Sequence, residues 1–522
     1  MSDDLRAALR EHFGHDDFRP GQEQAVRAAL AGRDVLAVMP TGAGKSLCYQ
    51  LPALLRDDLT IVVSPLVSLM ADQVAALPDR AVLINSQQDL TGNREALARV
   101  RGGDVRLLYV APERFTARGF IEALEGVKVG MFVVDEAHCV SQWGHDFRPD
   151  YYELPNAVRA LGARQVFACT ATATPRVARD VIARLGLREP LQVATGFDRP
   201  NLSYLVVRAT NDADRQQRIA AVLADPAARP AVVYAGTRAR TEELASFLAA
   251  RLDVPVATYH AGLERTARAE QQRRFMAGEV AVVVATNAFG MGIDKADVRT
   301  VCHAVVPESL EAYYQEAGRA GRDGKPARCL LFAGNRDKGL HVHFIQQSAS
   351  GTARNARWDQ YRAIWAFVES TTCRRTAILR HFGDTSTPTL APDIPCCDAC
   401  APTALPPPPA SAQRAGRAQP SPRRPASARS QPAQIELEEL DRAIIDVVRS
   451  ASPSVGRTRT VEILRGGRSK LIAQNSYDSL DPYGSFAHLS AAEALAQVDG
   501  LIARGVLRST GGPYPKLALA RT

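Results

Sequence analysis

Apolar and polar positions rise and fall along this chain in two long series. In the first, short apolar runs at Asp34–Met39, Leu59–Ser64, Val105–Val110, Gly130–Val134 and Gln165–Cys169 are separated by stretches of helical spacing such as Glu23–Ala31 and Leu47–Leu55. Strand-like runs divided by helix-like ones predict a parallel α/β sheet. The polar turns after these runs, Ser64-Pro65-Leu66, Ala111-Pro112-Glu113-Arg114 and Thr170-Ala171-Thr172, then share the end of the sheet where such folds hold ligands. A second series follows at Ala231–Tyr234, Val256–Tyr259, Ala281–Ala285, Val301–Val305 and Cys329–Phe332. Helical spacing then runs through Trp358–Ser370 and Arg374–Phe382, and the pattern lapses over 401–434. It returns with Leu437, Leu440, Ile444, Ile445 and Val448 at helical spacing. Ser490-Ala491-Ala492-Glu493 is a capping box opening a helix that Gly505 closes, and Val506–Ser509 and Lys516–Leu519 read as a hairpin. Helices followed by a hairpin suggest a winged helix. The expected divisions are 1–205, 206–345, 346–400, a disordered linker at 401–434, and 435–522.

Composition sharpens this picture at three points. A chain of 522 residues has room for three or four domains, and 46% hydrophobic residues can fill large cores. The formal charge of +8 leans toward a polyanionic partner. Five of the nine cysteines are scattered and four cluster late, which predicts a reducing compartment and one metal site rather than a disulfide framework. Met1-Ser2-Asp3-Asp4 lacks the layout of a signal peptide, and no apolar run reaches the roughly 18–20 residues that span a bilayer. A soluble, intracellular protein is expected. The linker, with five arginines, no acid and many Pro, Ala and Ser, cannot bury a core.

The candidate chemistry sits in the turns. Pro40-Thr41-Gly42-Ala43-Gly44-Lys45-Ser46 is a Gly-rich turn between strand and helix, although Met39 stands where the generic phosphate loop has its first glycine. Such a turn aims backbone N–H groups at phosphates, with Lys45 reaching the terminal phosphates and Ser46 ligating Mg²⁺. Gln22 precedes it and suits the donor and acceptor edges of adenine. Asp135-Glu136-Ala137-His138 ends a strand with two acids and runs directly into a loop holding Trp143, Phe147, Tyr151 and Tyr152 among Gln142, His145 and Arg148. Rings beside basic groups suit stacking on unpaired bases, and the alternative is an aromatic mini-core. Arg319 and Arg322 fall on one face if their segment is helical, within reach of phosphates held by the first lobe. Cys373, Cys396, Cys397 and Cys400 supply four thiolates for zinc, with His381 as an alternative to Cys396 because adjacent ligands are strained. Tyr514 beside Gly511-Gly512-Pro513 suits either a wedge against a duplex end or hairpin packing.

In this order the motifs resemble a superfamily 2 helicase core, and in detail the RecQ DNA helicases. Phe18-Arg19-Pro20-Gly21-Gln22 resembles the RecQ adenine motif, Asp135–His138 its DEAH box, and Ser141–Pro149 its aromatic loop. Thr286–Lys295, which holds Gly290 and Asp294, and Tyr314–Gly324 resemble later core motifs. Cys373-Arg374-Arg375 resembles the start of the zinc module, and Ile463-Leu464-Arg465-Gly466 with Tyr483-Gly484 the RQC winged helix. His15 departs from the tyrosine that often stacks on adenine in the family. The resemblance implies two RecA-like parallel α/β lobes followed by a helical zinc-binding module and a winged-helix domain. It implies an ATP-dependent 3′→5′ DNA helicase of repair and recombination, using ATP, Mg²⁺ and Zn²⁺. Nucleotide would be held by Arg19, Gln22, Thr41, Gly42, Gly44, Lys45, Ser46, Gly290 and Asp294, and turned over by Lys45, Asp135 (on Mg²⁺), Glu136, His138, Arg319 and Arg322, with either arginine as the finger. Arg114, Gln142, Trp143, Phe147, Arg148 and Tyr514 would meet single-stranded or forked DNA. Single-strand-binding protein is an implied partner, the cytoplasm, or the nucleoid in a bacterium, the implied location, and a further C-terminal helical domain is not expected. The rivals are an RNA helicase of the same superfamily and a non-catalytic DNA-binding scaffold.

Overall fold

The computed structural model describes residues 2–520 apart from 86–87, 118, 145, 290–294, 348–350, 390, 393, 407–430, 468, 487–488, 490 and 511–514. The chain forms two units, Met1–Arg414 and Ala415–Thr522. In the first unit, seven strands make one parallel sheet: β1 (Val35–Val38), β2 (Leu59–Val63), β3 (Ala81–Ile84), β4 (Leu107–Val110), β5 (Val129–Val134), β6 (Gln165–Thr170) and β7 (Leu191–Ala194). Their order is β3-β4-β2-β5-β6-β1-β7. Every residue of β1, β2, β4, β5 and β6 is buried, as expected where helices cover both faces of a parallel sheet. All predicted ligand turns therefore gather at one end, beside the close of β1 and β5.

Six more parallel strands make a second sheet: β8 (Leu202–Arg208), β9 (Ala231–Tyr234), β10 (Val256–Tyr259), β11 (Val282–Ala285), β12 (Thr300–His303) and β13 (Ala327–Ala333), in the order β10-β11-β9-β12-β13-β8. The expected division at 205 falls inside β8, which pairs with β13 along its whole length and so belongs to the second sheet. The division at 345 likewise falls inside a helix, Asn335–Gln347. Two further helices, Thr352–Glu369 and Arg374–His381, lead to the cysteine turn, whose Cys397 bridges to Tyr204 of β8.

The linker is shorter than expected at both ends. Ala404 and Leu405 pack against the core of the second sheet because they are apolar, and the first helix of the second unit already begins at Gln431. Residues 407–430 lie outside the described residues. The second unit has its own core, including Leu440, Ile444, Val461, Ile463, Leu464, Val498, Leu501, Leu507 and Leu517. Its helices Gln431–Ser450, Arg457–Leu464, Lys470–Gln474 and Ala491–Ala503 precede an antiparallel hairpin of β14 (Leu507–Ser509) and β15 (Leu517–Leu519). Gly466 and Gly484 meet backbone to backbone, with a Cβ at Gly466 landing 3.2 Å from the Gly484 Cα, so the RQC-like pair of glycines marks a close crossing. Ser490 and Tyr514 lie outside the described residues. No described helix is long and apolar enough to cross a membrane.

Candidate active site and metal centre

The Gly-rich turn after β1 is built by capturing its carbonyls from outside. Lys45 Nζ donates to Met39 O (3.3 Å), Arg199 Nη1 to Thr41 O (3.4 Å) and Arg19 Nη1 to Gly42 O (2.5 Å). Gln22 Nε2 donates to Ala43 O (2.9 Å) and Gly44 O (3.1 Å). A peptide whose carbonyl is held on one side presents its N–H on the other, which leaves the turn's donors, apart from Ala43 N bonded to Pro40 O (3.1 Å), for an anion at the start of helix Leu47–Leu54. Gln22 also accepts from Arg19 N (2.9 Å), so both ends of the amide expected to read adenine serve backbone here. His15 is exposed at the mouth of the same cleft.

At the end of β5, the Asp135 carboxylate accepts from Ser64 Oγ (3.1 Å) and from the Cys169 thiol (3.4 Å), while Tyr151 Oη donates to its backbone carbonyl (3.0 Å). Glu136 follows with a left-handed φ of 47° and a buried carboxylate. Burial first, and then the charge of Asp135, raise its pKa to about 7. His138 Nδ1 lies 3.3 Å from Glu136 Oε2 and 2.8 Å from Thr170 Oγ1, which joins the acid pair to the turn after β6. Buried Asp135 and largely buried Glu136 line the same cleft as Ser46 and with it form an oxygen-rich donor set of the kind Mg²⁺ takes together with phosphate oxygens.

A cleft of about 680 Å³ brings Lys45, Ser46, Asp135 and Glu136 of the first lobe opposite Arg319 and Arg322 of the second. The arginines do not ride on a helix, so the condition under which they would share a helical face is not met. Helix Leu310–Ala317 ends before them, closed by Arg319 N on Glu316 O (3.2 Å) and Ala320 N on Ala317 O (3.0 Å), and the carbonyls beyond it are taken by side chains. Arg199 Nη1 donates to Gly318 O (3.4 Å), and Nη2 to Ala320 O (3.2 Å) and Gly321 O (3.3 Å). Asn201 Nδ2 donates to Gly321 O (2.7 Å) and Lys325 O (2.9 Å), so close that a Cβ at Gly321 would meet it at 2.4 Å. Both arginines still reach the cleft, with the Arg322 stem over Gly42 and Arg319 near enough to Glu136 to lower its pKa.

The aromatic loop is folded in. Tyr151 is fully buried, Phe147 packs against Tyr152 with the rings tilted at 55° and 5.1 Å apart, and Arg148 pairs with Asp146 (2.9 Å). The Trp143 ring lies 3.2 Å beneath the Arg176 guanidinium, which also pairs with Asp359 (3.4 Å). Gln360 donates to Gly144 O (3.1 Å). Gln142 is half-buried, and Arg114 lies 5.5 Å over Phe120. Gly290, Asp294 and His145 lie outside the described residues.

The four cysteine sulfurs lie within 4.8 Å of one another. A tetrahedral zinc with bonds of about 2.3 Å needs sulfurs about 3.8 Å apart, so the set fits. Cys396 is part of it, 3.5 Å from Cys373, whereas His381 bonds Glu311 (2.8 Å) and stands outside it. Hydrogen bonding from Cys396 holds Cys397 well below the ordinary thiol range, and Arg374 N donates to the same sulfur (3.4 Å). Arg374 forms a buried fork on Asp398 (3.0 and 2.8 Å), and Arg375 donates to Leu202 O (2.7 Å) at the start of β8. Sequence reasoning placed Ser64 in a ligand-end turn without giving it a role, and missed Cys169, Arg176, Arg199, Asn201 and Asp398, of which only the polar run Asp198-Arg199-Pro200-Asn201 between the lobes offered a hint.

Four families match consecutive segments: DEAD/DEAH box helicase over 19–181, helicase conserved C-terminal domain over 215–324, RecQ zinc-binding over 335–401 and RQC domain over 431–522. The chain is 35% identical over 519 residues to the ATP-dependent DNA helicase RecQ of Bacillus subtilis, covering 98% of this chain and 81% of that protein. It is 40% identical over 399 residues to the protein of the same name from Haemophilus influenzae, covering 76% of this chain and 63% of that one. Among solved structures, helicase MrfA bound to DNA and AMPPNP aligns with a TM-score of 0.54 at 19% identity, over 72% of this chain and 56% of that one.

Proposed function

Because this chain belongs to the RecQ family of helicases, we propose that its two lobes hydrolyse ATP across their cleft and use the closure to unwind DNA. The observation that carries this reading is the meeting of Lys45, Ser46, Asp135 and Glu136 with Arg319 and Arg322 around one cavity. Lys45 and the Gly-rich turn would hold the phosphates, and Glu136 would take the proton of the attacking water. Mg²⁺, when bound, would be held by Ser46 and Asp135 and would neutralise phosphate charge. Arg319 and Arg322 would meet the charge that develops on the transferring phosphoryl group. His138, through Thr170, and the loop from Gln142 to Arg148 would report DNA to the acid pair. Family resemblance supports 3′→5′ movement, single-stranded and forked DNA as substrate, roles in repair and recombination, and single-strand-binding protein as partner.

The test measures ATP turnover with no nucleic acid, with single-stranded DNA and with RNA, alongside unwinding of duplexes tailed at either end. Stimulation by DNA well above RNA, with unwinding only from a 3′ tail, is expected. Lys45→Ala should abolish turnover and leave DNA binding in place. Turnover that survives in that variant, or stimulation by RNA alone, would overturn the reading.

A further inference from the structure

Residues Phe197–Leu202 cross from the first lobe to the second, and their neighbours alternate. The carbonyls of Pro200 and Leu202 accept from Arg375 Nη2 (3.2 and 2.7 Å), and Asp198 lies 3.5 Å from the same guanidinium. Phe197 N donates to Asp384 (3.1 Å), and its ring stacks at 4.3 Å on Phe382. One side of the segment is thus bolted to the zinc module through a side chain that is only 2% exposed. The other side sends out Arg199 and Asn201, whose five bonds take the carbonyls of 318, 320, 321 and 325, while a further Arg199 bond reaches Thr41 in the phosphate turn.

We infer that Arg199, with Asn201, is the positioning residue for Arg319 and Arg322. The inference rests on the proposed hydrolysis at this cleft. The arginines sit beyond the helix on a turn whose backbone is held by bonds such as Arg319 N to Glu316 O (3.2 Å) and Gly321 N to Val298 O (2.9 Å), and the carbonyls of 318 and 320 take a further constraint from outside it. The fork of Arg199 supplies that constraint from a fixed mount, and a planar guanidinium with several donors spans carbonyls that an ammonium group cannot. Arg199 touches neither nucleotide nor the reacting atoms in this assignment; it acts through the turn. Its link to Thr41 ties the turn to the loop that holds the phosphates, so both halves of the site share one reference point.

The experiment uses the full chain with Arg199→Ala, Arg199→Lys and Asn201→Ala, and measures DNA-stimulated ATP turnover, affinity for ADP, and affinity for ADP with aluminium fluoride. Misplacing the arginines should lower kcat by about 10²-fold in Arg199→Ala, while KM for ATP and affinity for ADP stay within about threefold of wild type. The tightening that aluminium fluoride adds in the wild type should be lost, because it mimics the charge the arginines meet. Arg199→Lys should resemble Arg199→Ala, and Asn201→Ala should show the same split more weakly; these two carry the test if Arg199→Ala fails to fold. Wild-type kcat in Arg199→Ala, full rescue by lysine, or parallel loss of ADP and ADP–aluminium fluoride binding would each overturn the assignment. Absence of turnover in the wild type would instead overturn the proposed function.

Discussion

Glu136 holds a backbone conformation that residues with a side chain rarely adopt, and it places the largely buried carboxylate beside Asp135 and His138 at the wall of the cleft. Strain and burial of this kind have a use if the group must be a base near neutrality. Glu136→Gln keeps shape and removes basicity, so turnover of ATP should fall by about 10²–10⁴-fold with ATP affinity retained, as read by a binding titration beside the rate assay. Trp143 raises a different expectation, because Arg176 covers one face of its ring. If the loop senses DNA, Trp143→Ala should leave basal hydrolysis near wild type and depress stimulation at saturating DNA far more than it depresses affinity. Full stimulation at saturation would make the loop a binding surface alone. Residues such as Lys45, Asp135 and Cys400 were legible because their chemistry is written into residue type and spacing. Arg199 and Asn201 were not, since they work on backbone carbonyls about 120 positions away, and nothing in either segment's pattern points to the other.

Among elements, legibility followed position in the sheets. The strands read from sequence include every interior strand, where both faces are buried and the apolar run is unbroken. Those missed, β3, β7 and β8, are all outermost in their sheets, and β7 is mostly unburied. Periodicity could not decide whether the two arginines ride on a helix, because it cannot show that side chains elsewhere take the carbonyls after Ala317. The zinc module is held together by an ion pair as well as by its cysteine cluster. Asp398→Ala would strand the buried guanidinium of Arg374, and breaking such a pair costs about 3–5 kcal/mol, to be seen as a lower melting temperature of the first unit. Cys373→Ser and Cys400→Ser should also melt earlier and bind less than one zinc per chain by metal analysis, because structural zinc contributes directly to folding. Unchanged melting with zinc lost would contradict this.

At the scale of the molecule, all residues of the cleft and the cysteine cluster fall within Met1–Arg414, while Ala415–Thr522 buries a core of its own. A fragment ending at residue 414 should therefore hydrolyse ATP and respond to single-stranded DNA, and the remainder should melt cooperatively by itself; calorimetry of the two pieces tests both. One contact has a consequence for solubility. β8 ends its sheet, and its free backbone groups are taken by the cysteine turn: Tyr204 N donates to Cys396 O (3.2 Å), Val206 N to Asp398 (3.1 Å), and Tyr204 O accepts from Asp398 N (3.4 Å). Removing zinc would loosen that turn and bare the edge of a seven-residue, mostly apolar strand, a template for pairing with other chains. A chelated sample should accordingly scatter light in a concentration-dependent way before its first sheet melts, with zinc acting as the guard against aggregation.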